Sequence, residues 1–291
     1  MTLVLTVGLG LLIGLTLGAL GGGGSILTVP VLVYAVGESA RSATTGSLVI
    51  VGIAAGVASL GHARAGRVRW GAGVSFGVAG VAASFAGTAL NSRVDPNVLL
   101  VCFATLMIVA AAAMLAKTMV HTHPEDDEPR GGSPATLDEQ AAALRQGRPR
   151  STLTTARPAI TVGTASPKLS VAVALRVVGA GLVVGFLTGF LGVGGGFIIV
   201  PALVLSLKYE MPTAVGTSLL IISLNSGVAL LARTGHESFH WAVIVPFTLA
   251  AIIGSFAGKR VADRVSGAQL TRAFAVLLLA VAGYVLVRAT G

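Results

Sequence analysis

Charged residues are scarce in this sequence of 291 residues, and long stretches contain none at all. Asp, Glu, Lys and Arg make up 11% of the chain, whereas soluble domains contain roughly 25%. The uncharged stretches cover residues 1–37, 70–92, 96–116, 177–207, 211–232, 241–258 and 273–287. Most of them are long enough for a helix that crosses a hydrocarbon core of about 30 Å. This pattern excludes a soluble domain and predicts an all-α polytopic membrane protein.

Cysteine is almost absent as well. The single cysteine, Cys102, excludes an intrachain disulfide and a multi-cysteine metal site. The first apolar stretch has no basic start and runs past any cleavage point, so we do not interpret it as a signal peptide. The net charge of +9 comes mainly from short loops and one linker, which is typical of membrane orientation signals and predicts no nucleic-acid partner. No paired carboxylates and no Ser–His set lie in a span, so neither an enzymatic site nor a cofactor is predicted.

The sequence contains an internal repeat, because residues 14–115 match residues 185–286 at a constant offset of 171 and without a gap. The matches include Trp70 with Trp241 and the block 84–87 with the block 255–258, which read Ser-Phe-Ala-Gly in both copies. Internal repeats are a common construction of secondary transporters. The duplication predicts a first transmembrane repeat over 1–119, a polar flexible cytoplasmic linker over 120–170, and a second transmembrane repeat over 171–291.

Each copy reads as a glycine-interrupted apolar segment followed by three full spans. All charged residues of the loop 61–69 are basic, whereas its equivalent 233–240 carries one basic and one acidic residue. In the next pair of loops the second copy is the more basic one: 91–96 carries one residue of each sign, and 259–266 carries three basic residues and one acidic residue. Equivalent loops therefore face opposite sides of the membrane under the positive-inside rule. This favours inverted repeats in which each interrupted segment is a re-entrant hairpin. A single kinked span, which would give parallel repeats, stays open as the alternative.

Two glycine clusters, 21–24 and 192–196, would form the tips of these hairpins. Glycine lets the backbone adopt positive φ and approach a ligand closely. A short helix starts at each tip, and helix N-termini expose unpaired N–H groups with a partial positive charge. Two tips that meet near the midplane would suit an anion with several oxygen acceptors. The alternative is that the glycines serve helix packing alone.

A second polar group follows each tip. The segment 44–47 and its equivalent 215–218 carry hydroxyls that can bind an oxyanion or cap a helix, and Asn225 is an uncommon residue inside a span. The histidines His62, His236 and His240 are interpreted as solvated loop residues. The predicted substrate-binding residues are Gly23, Gly24, Ser25, Thr45, Gly46, Ser47, Gly194, Gly195, Gly196, Gly216, Thr217, Ser218 and Asn225.

These motifs resemble those of the TauE/SafE family of sulfite exporters. The resemblance rests on the glycine clusters through Pro30 and Pro201, and on 214–219, which looks like the second signature of the family. The segment 43–48 is its looser form, with Thr-Gly where the family pattern reads Gly-Thr. The resemblance covers nearly the whole chain except the linker. It implies export or uptake of sulfur-containing anions such as sulfite, organosulfonates or thiosulfate.

Together, these observations predict a secondary transporter of a small sulfur-containing anion that works by alternating access as a multi-pass protein of the cell (inner or plasma) membrane. Its expected partners are the anion and the lipid bilayer; the sequence does not determine the oligomeric state, and a homodimer is one option. The coupling ion is H⁺ or Na⁺, and the lack of an intramembrane Asp or Glu slightly favours Na⁺ or passive export. The alternatives are an anion channel, a permease for another oxyanion or a carboxylate, and a membrane scaffold or enzyme subunit.

Overall fold

The computed structural model describes residues 2–91, 93–120, 171–191, 196–231 and 240–290. This part of the chain forms ten α-helices and contains no strand, so the predicted all-α class is confirmed. The helices are α1 (Thr2–Leu20), α2 (Gly23–Tyr34), α3 (Ala40–Arg64), α4 (Trp70–Asn91), α5 (Pro96–Val120), α6 (Val171–Leu191), α7 (Gly196–Leu205), α8 (Met211–Leu231), α9 (Trp241–Arg264) and α10 (Gly267–Thr290). The predicted linker lies outside the described residues except for Val120, and the loop 233–240 does so except for His240.

Seven of these helices are long and apolar enough to cross a membrane, namely α3, α4, α5, α6, α8, α9 and α10. The chain is therefore a multi-pass membrane protein. The apolar part of α1 is slightly shorter, and α2 and α7 have only 12 and 10 residues. A helix of 12 residues is about 18 Å long, which is too short to span a hydrocarbon core of about 30 Å.

Local sequence explains where several helices begin and end. The Ser39 hydroxyl accepts a hydrogen bond from the Ser42 amide and caps the start of α3. Trp70 and Trp241 are the exposed first residues of α4 and α9, and exposed tryptophans at the ends of spans are typical of membrane–water interfaces. The Lys117 ammonium donates to the Val204 carbonyl over 2.9 Å, which satisfies the last turn of the short helix α7.

The first helix of each half packs along the third long helix of the other half. In both crossings a Cβ added to the glycine would overlap the backbone of the facing helix, so only glycine permits this approach. The closest pairs are Gly14–Ala251 and Gly18–Ser255 between α1 and α9, and Gly185–Gly80 and Gly189–Ser84 between α6 and α4. Residue numbers rise together along both pairs, so the helices in each pair run parallel.

Helices α3 and α8 cross at the centre of the molecule and run in opposite directions. A Cβ on Gly52 would lie 3.0 Å from the Ser226 Cβ, and one on Gly56 would lie 2.9 Å from the Ser223 hydroxyl. Nearer the end of α3, His62 lies against Gly216. Increasing numbers on α3 thus meet decreasing numbers on α8, which defines an antiparallel pair.

Candidate functional site

The chain reverses direction at the first glycine cluster. The Gly21 amide still donates to the Leu17 carbonyl over 2.8 Å, but Gly21 itself has a φ of +70°, which ends α1. The next helix, α2, folds back along α1. As a result, a Cβ on Gly24 would lie 2.7 Å from the Ile13 carbonyl oxygen and 2.8 Å from the Leu17 Cβ. The segment is therefore a tight helical hairpin with glycine at its tip.

The tip of this hairpin touches the start of α7 in the other half. A Cβ on Gly22 would overlap the carbonyl group of Gly196 and lie 3.0 Å from the Phe197 amide nitrogen. Ser25 closes the contact, because its hydroxyl lies beside Gly196 and donates to the Gly22 carbonyl over 2.7 Å. Of the predicted site residues, Ser25 and Gly196 are thus in direct contact, whereas Gly194 and Gly195 lie outside the described residues.

The polar segment of α8 lies beside the same tip. A Cβ on Gly21 would lie only 2.5 Å from the Ser218 hydroxyl, which itself donates to the Val215 carbonyl over 2.8 Å. Gly216 packs on the Arg67 carbonyl in the turn between α3 and α4, and the Thr217 hydroxyl accepts a hydrogen bond from the Arg69 amide over 3.2 Å. This turn therefore covers the polar face of α8 next to the tip.

The remaining predicted residues occupy other surroundings. Gly23 faces Leu277 and Phe274 of α10, and Gly24 packs on α1 within its own hairpin. Thr45, Gly46 and Ser47 are buried on α3; Gly46 lies near Ile244, and Ser47 donates to the Thr44 carbonyl over 2.7 Å. The Asn225 carbonyl oxygen is buried near Gly77 of α4 and has no hydrogen-bond partner among the described residues. The role of these α3 residues and of Asn225 in substrate binding stays a prediction.

His62 is a residue that the sequence analysis placed wrongly. It is not a solvated loop residue but lies inside α3, with 1% of its surface exposed. Its Nε2 donates to the Gly18 carbonyl over 3.2 Å, and its Nδ1 has no partner among the described residues. The better signal for the end of α3 was Gly66, which follows the helix with a φ of +71°, as helix-terminating glycines do.

Polar contacts between side chains join the two halves at both ends of α3. Arg67 pairs with Asp263 at the end of α9, and Asp263 also accepts from Lys259 over 2.8 Å. At the opposite end of α3, Glu38 pairs with His240, the residue before α9, over 2.8 Å. Both contacts bridge the same two helices, one at each end of the packing between α3 and α9.

Two cavities have no lining residue from the first tip. The larger has a volume of about 520 Å³ and is lined mainly by apolar residues of α5, α6 and α7. The smaller, of about 400 Å³, continues along α5 and α6 and includes Cys102 and Phe190. Exposed side chains such as Val109 and Val183 form their walls, so both are grooves on the apolar outer surface.

The fold and this site define a polytopic membrane protein in which the glycine tip of a helical hairpin in the first half touches the start of the short helix α7 in the second. The chain belongs to the sulfite exporter TauE/SafE family, whose model matches residues 6–285. It is 32% identical over 290 residues to a probable membrane transporter protein of Xylella fastidiosa (strain Temecula1), which covers 99% of this chain and 96% of that protein. A probable membrane transporter protein of Bacillus subtilis (strain 168), YunE, is 25% identical over 296 residues, or 96% of this chain and 93% of that protein. No solved structure matches the chain.

Proposed function

We propose that this chain is a secondary transporter that moves a small sulfur-containing anion across the cell membrane by alternating access. The observation that carries the proposal is the backbone contact between Gly22 and Gly196. The helices α2 and α7 both start at this contact, at Gly23 and Gly196. A binding site built from two helix starts, one from each half, would change shape whenever the halves move relative to each other.

The chemistry of helix starts favours an anion. No side chain caps α2, so its first amide groups are available to an external acceptor. Each helix start carries about half a positive charge, and an anion there requires no buried Lys or Arg. Sulfite, thiosulfate and sulfonates each offer several oxygen acceptors. The description of the family as sulfite exporters favours this class over other oxyanions.

The first tip and the start of α7 touch so closely that an anion requires them to separate. Even a methyl group on Gly22 would overlap Gly196. The contacts Arg67–Asp263 and Glu38–His240 join α3 to α9 at their two ends. We interpret this arrangement as a closed state between two open ones. In alternating access, one of these contacts would break to admit the anion and the other to release it.

The contacts also support inverted repeats with the boundaries predicted from the sequence. Equivalent helices would run parallel if the repeats were related by an axis along the membrane normal. The equivalent helices α3 and α8 instead run antiparallel, as expected for an axis in the membrane plane. If each half starts with a re-entrant hairpin, both termini would lie on one side of the membrane and the predicted linker 120–170 on the other.

Counterflow in proteoliposomes tests the proposal. Vesicles loaded with unlabelled sulfite, thiosulfate, sulfoacetate or sulfate are diluted into the labelled form of the same anion. A transporter accelerates exchange of at least one sulfur anion, and the rate saturates with concentration. Single-channel currents without saturation would instead identify an anion channel. A rate equal to that of empty vesicles for the whole panel would reject transport of this class.

A further inference from the structure

We propose that His62 is the proton-binding site that couples transport to the pH gradient, an inference that rests on the proposed function. The coupling ion is then H⁺, although the sequence slightly favoured Na⁺ or passive export. Of the two histidines in the described part of the chain, His62 is buried, and it lies between the first hairpin and α8. Histidine is the side chain whose charge changes most readily near neutral pH.

The geometry leaves one ring nitrogen free to take a proton. A carbonyl can only accept, so the Gly18 contact requires a hydrogen on Nε2. In the neutral ring Nδ1 is then an acceptor, and it is buried with no partner among the described residues. Buried polar atoms nearly always have a partner, and the exceptions call for a functional explanation. A proton on Nδ1 turns this orphaned acceptor into a charged donor.

The hydrogen bond to the last turn of α1 does not by itself explain why residue 62 is a histidine. The Asn91 side-chain amide donates to the Phe190 carbonyl over 2.6 Å and so satisfies the end of α6. Helix α6 is the counterpart of α1 in the other half, and Phe190 corresponds to Ala19, the residue after Gly18. An amide that does not titrate therefore performs the same structural task there. At α1 the task falls to a side chain that titrates.

The charges around His62 come from two of the elements packed on it. Helix α9 contributes Lys259 and Asp263, and the turn after α3 contributes Arg67. Helices α1 and α8 contain no charged residue. With Asp263 already paired to both cations, a protonated His62 lacks a carboxylate of its own.

An anion at the hairpin tip would supply the missing negative charge. His62 bonds Gly18, which lies three residues, or roughly 5 Å along the helix, before Gly21 at the tip. It also contacts Gly216, two residues before Ser218 at the tip. An anion at the tip then favours the proton on His62, and the proton favours the anion, because linkage is reciprocal. The two would bind and leave together.

Gradient-driven uptake tests this coupling. Proteoliposomes with the membrane potential clamped at zero are given a gradient of one pH unit and labelled thiosulfate or sulfoacetate, which stay fully charged near neutral pH. For one proton per anion, the wild-type chain accumulates the anion up to about tenfold, since one pH unit is a tenfold difference in proton activity. In His62→Gln, which can still donate to the Gly18 carbonyl, accumulation falls to about onefold while exchange stays measurable. The control Ser59→Ala, one turn earlier on α3, keeps the accumulation.

Each other outcome of this experiment is decisive. Wild-type exchange without gradient-driven accumulation overturns proton coupling and leaves the transporter proposal standing. Undiminished accumulation in His62→Gln overturns the assignment to His62. Loss of exchange and accumulation together, in a variant that elutes as folded protein, leaves His62 with a capping role only. No exchange by the wild-type chain rejects the proposed function itself.

A second measurement applies if His62→Gln does not fold. A chain in which the other four histidines (His121, His123, His236 and His240) are replaced by Gln retains one imidazole, labelled with ¹⁵N. Its Nδ1 resonance in lipid nanodiscs moves toward the protonated value when thiosulfate is added at constant pH. A resonance that does not move with thiosulfate or with sulfoacetate overturns the proposal.

Discussion

Ser223 donates its hydroxyl hydrogen to the backbone carbonyl of Gly52 over 3.0 Å, and the two residues are 171 positions apart. This separation equals the offset of the internal repeat, so Ser223 holds the position in α8 that Gly52 holds in α3. A residue that meets its own counterpart lies near an axis of twofold pseudosymmetry. The same relation makes the α1–α9 crossing recur as the α6–α4 crossing.

Replacing Ser223 tests the bond at this axis. We expect Ser223→Ala to lower the free energy of unfolding by about 0.6 kcal/mol and at most about 1.7 kcal/mol, as for other hydrogen bonds between membrane helices. The measurement is equilibrium unfolding in mixed micelles. In the control, Ser59→Ala, the lost hydroxyl bonds only the Gly56 carbonyl of its own helix, so a smaller change is expected. A smaller loss for Ser223→Ala than for Ser59→Ala would contradict a stabilising contact between the halves.

Replacing Gly22 tests the contact between the tips. In Gly22→Ala the new methyl group overlaps the Gly196 carbonyl, and such overpacking typically costs about 1–3 kcal/mol. We expect anion exchange to fall by about tenfold or more, which corresponds to roughly 1.4 kcal/mol. Gly8→Ala is the matched control on α1, because no atom lies within 4 Å of its added Cβ. Equal exchange by the two variants would remove the tip from the mechanism.

Much of the fold could be predicted from the sequence because it follows from composition and repetition. The scarcity of charge indicated membrane helices, and the constant offset indicated two equivalent sets of them. Pairing between helices was harder to predict. Gly14 and Gly185 look like ordinary small residues in the sequence, and only the three-dimensional contacts show that each touches a helix of the other half. Pairing depends on side-chain fit, which the hydrophobic pattern does not encode.

The candidate site was predictable only in part for a related reason. Glycine clusters mark a helix break directly, so the tip and the start of α7 at Gly196 could be located. His62 could not, because its role depends on burial by three other elements. A polar residue just before a basic turn has the sequence pattern of a solvated helix end. His62 is buried because α1 at Gly18 and α8 at Gly216 pack against it, and these contacts are visible only in three dimensions.

Labelling of single cysteines tests the inverted topology. In a Cys102→Ala background, Gly66→Cys and Glu237→Cys occupy equivalent positions of the two copies. We expect a membrane-impermeant maleimide to react with them from opposite sides, because inversion places equivalent loops on opposite faces. The Cys102→Ala chain without a new cysteine gives the background. Labelling of both positions from one side would select parallel repeats.

Removing the Arg67 charge tests whether its ion pair closes one end of the pathway. Arg67 and Asp263 are partly exposed, and such pairs contribute about 0.2–1 kcal/mol, so their loss shifts an open–closed equilibrium by up to about fivefold. We expect Arg67→Gln to raise maleimide labelling of Thr217→Cys, buried under the 65–69 turn, by about two- to fivefold from that side. Arg69→Gln removes the same charge from the same turn but keeps the amide that bonds position 217, so it should leave labelling unchanged. If both arginine variants raise labelling equally, the net charge of the turn controls opening and the ion pair with Asp263 does not.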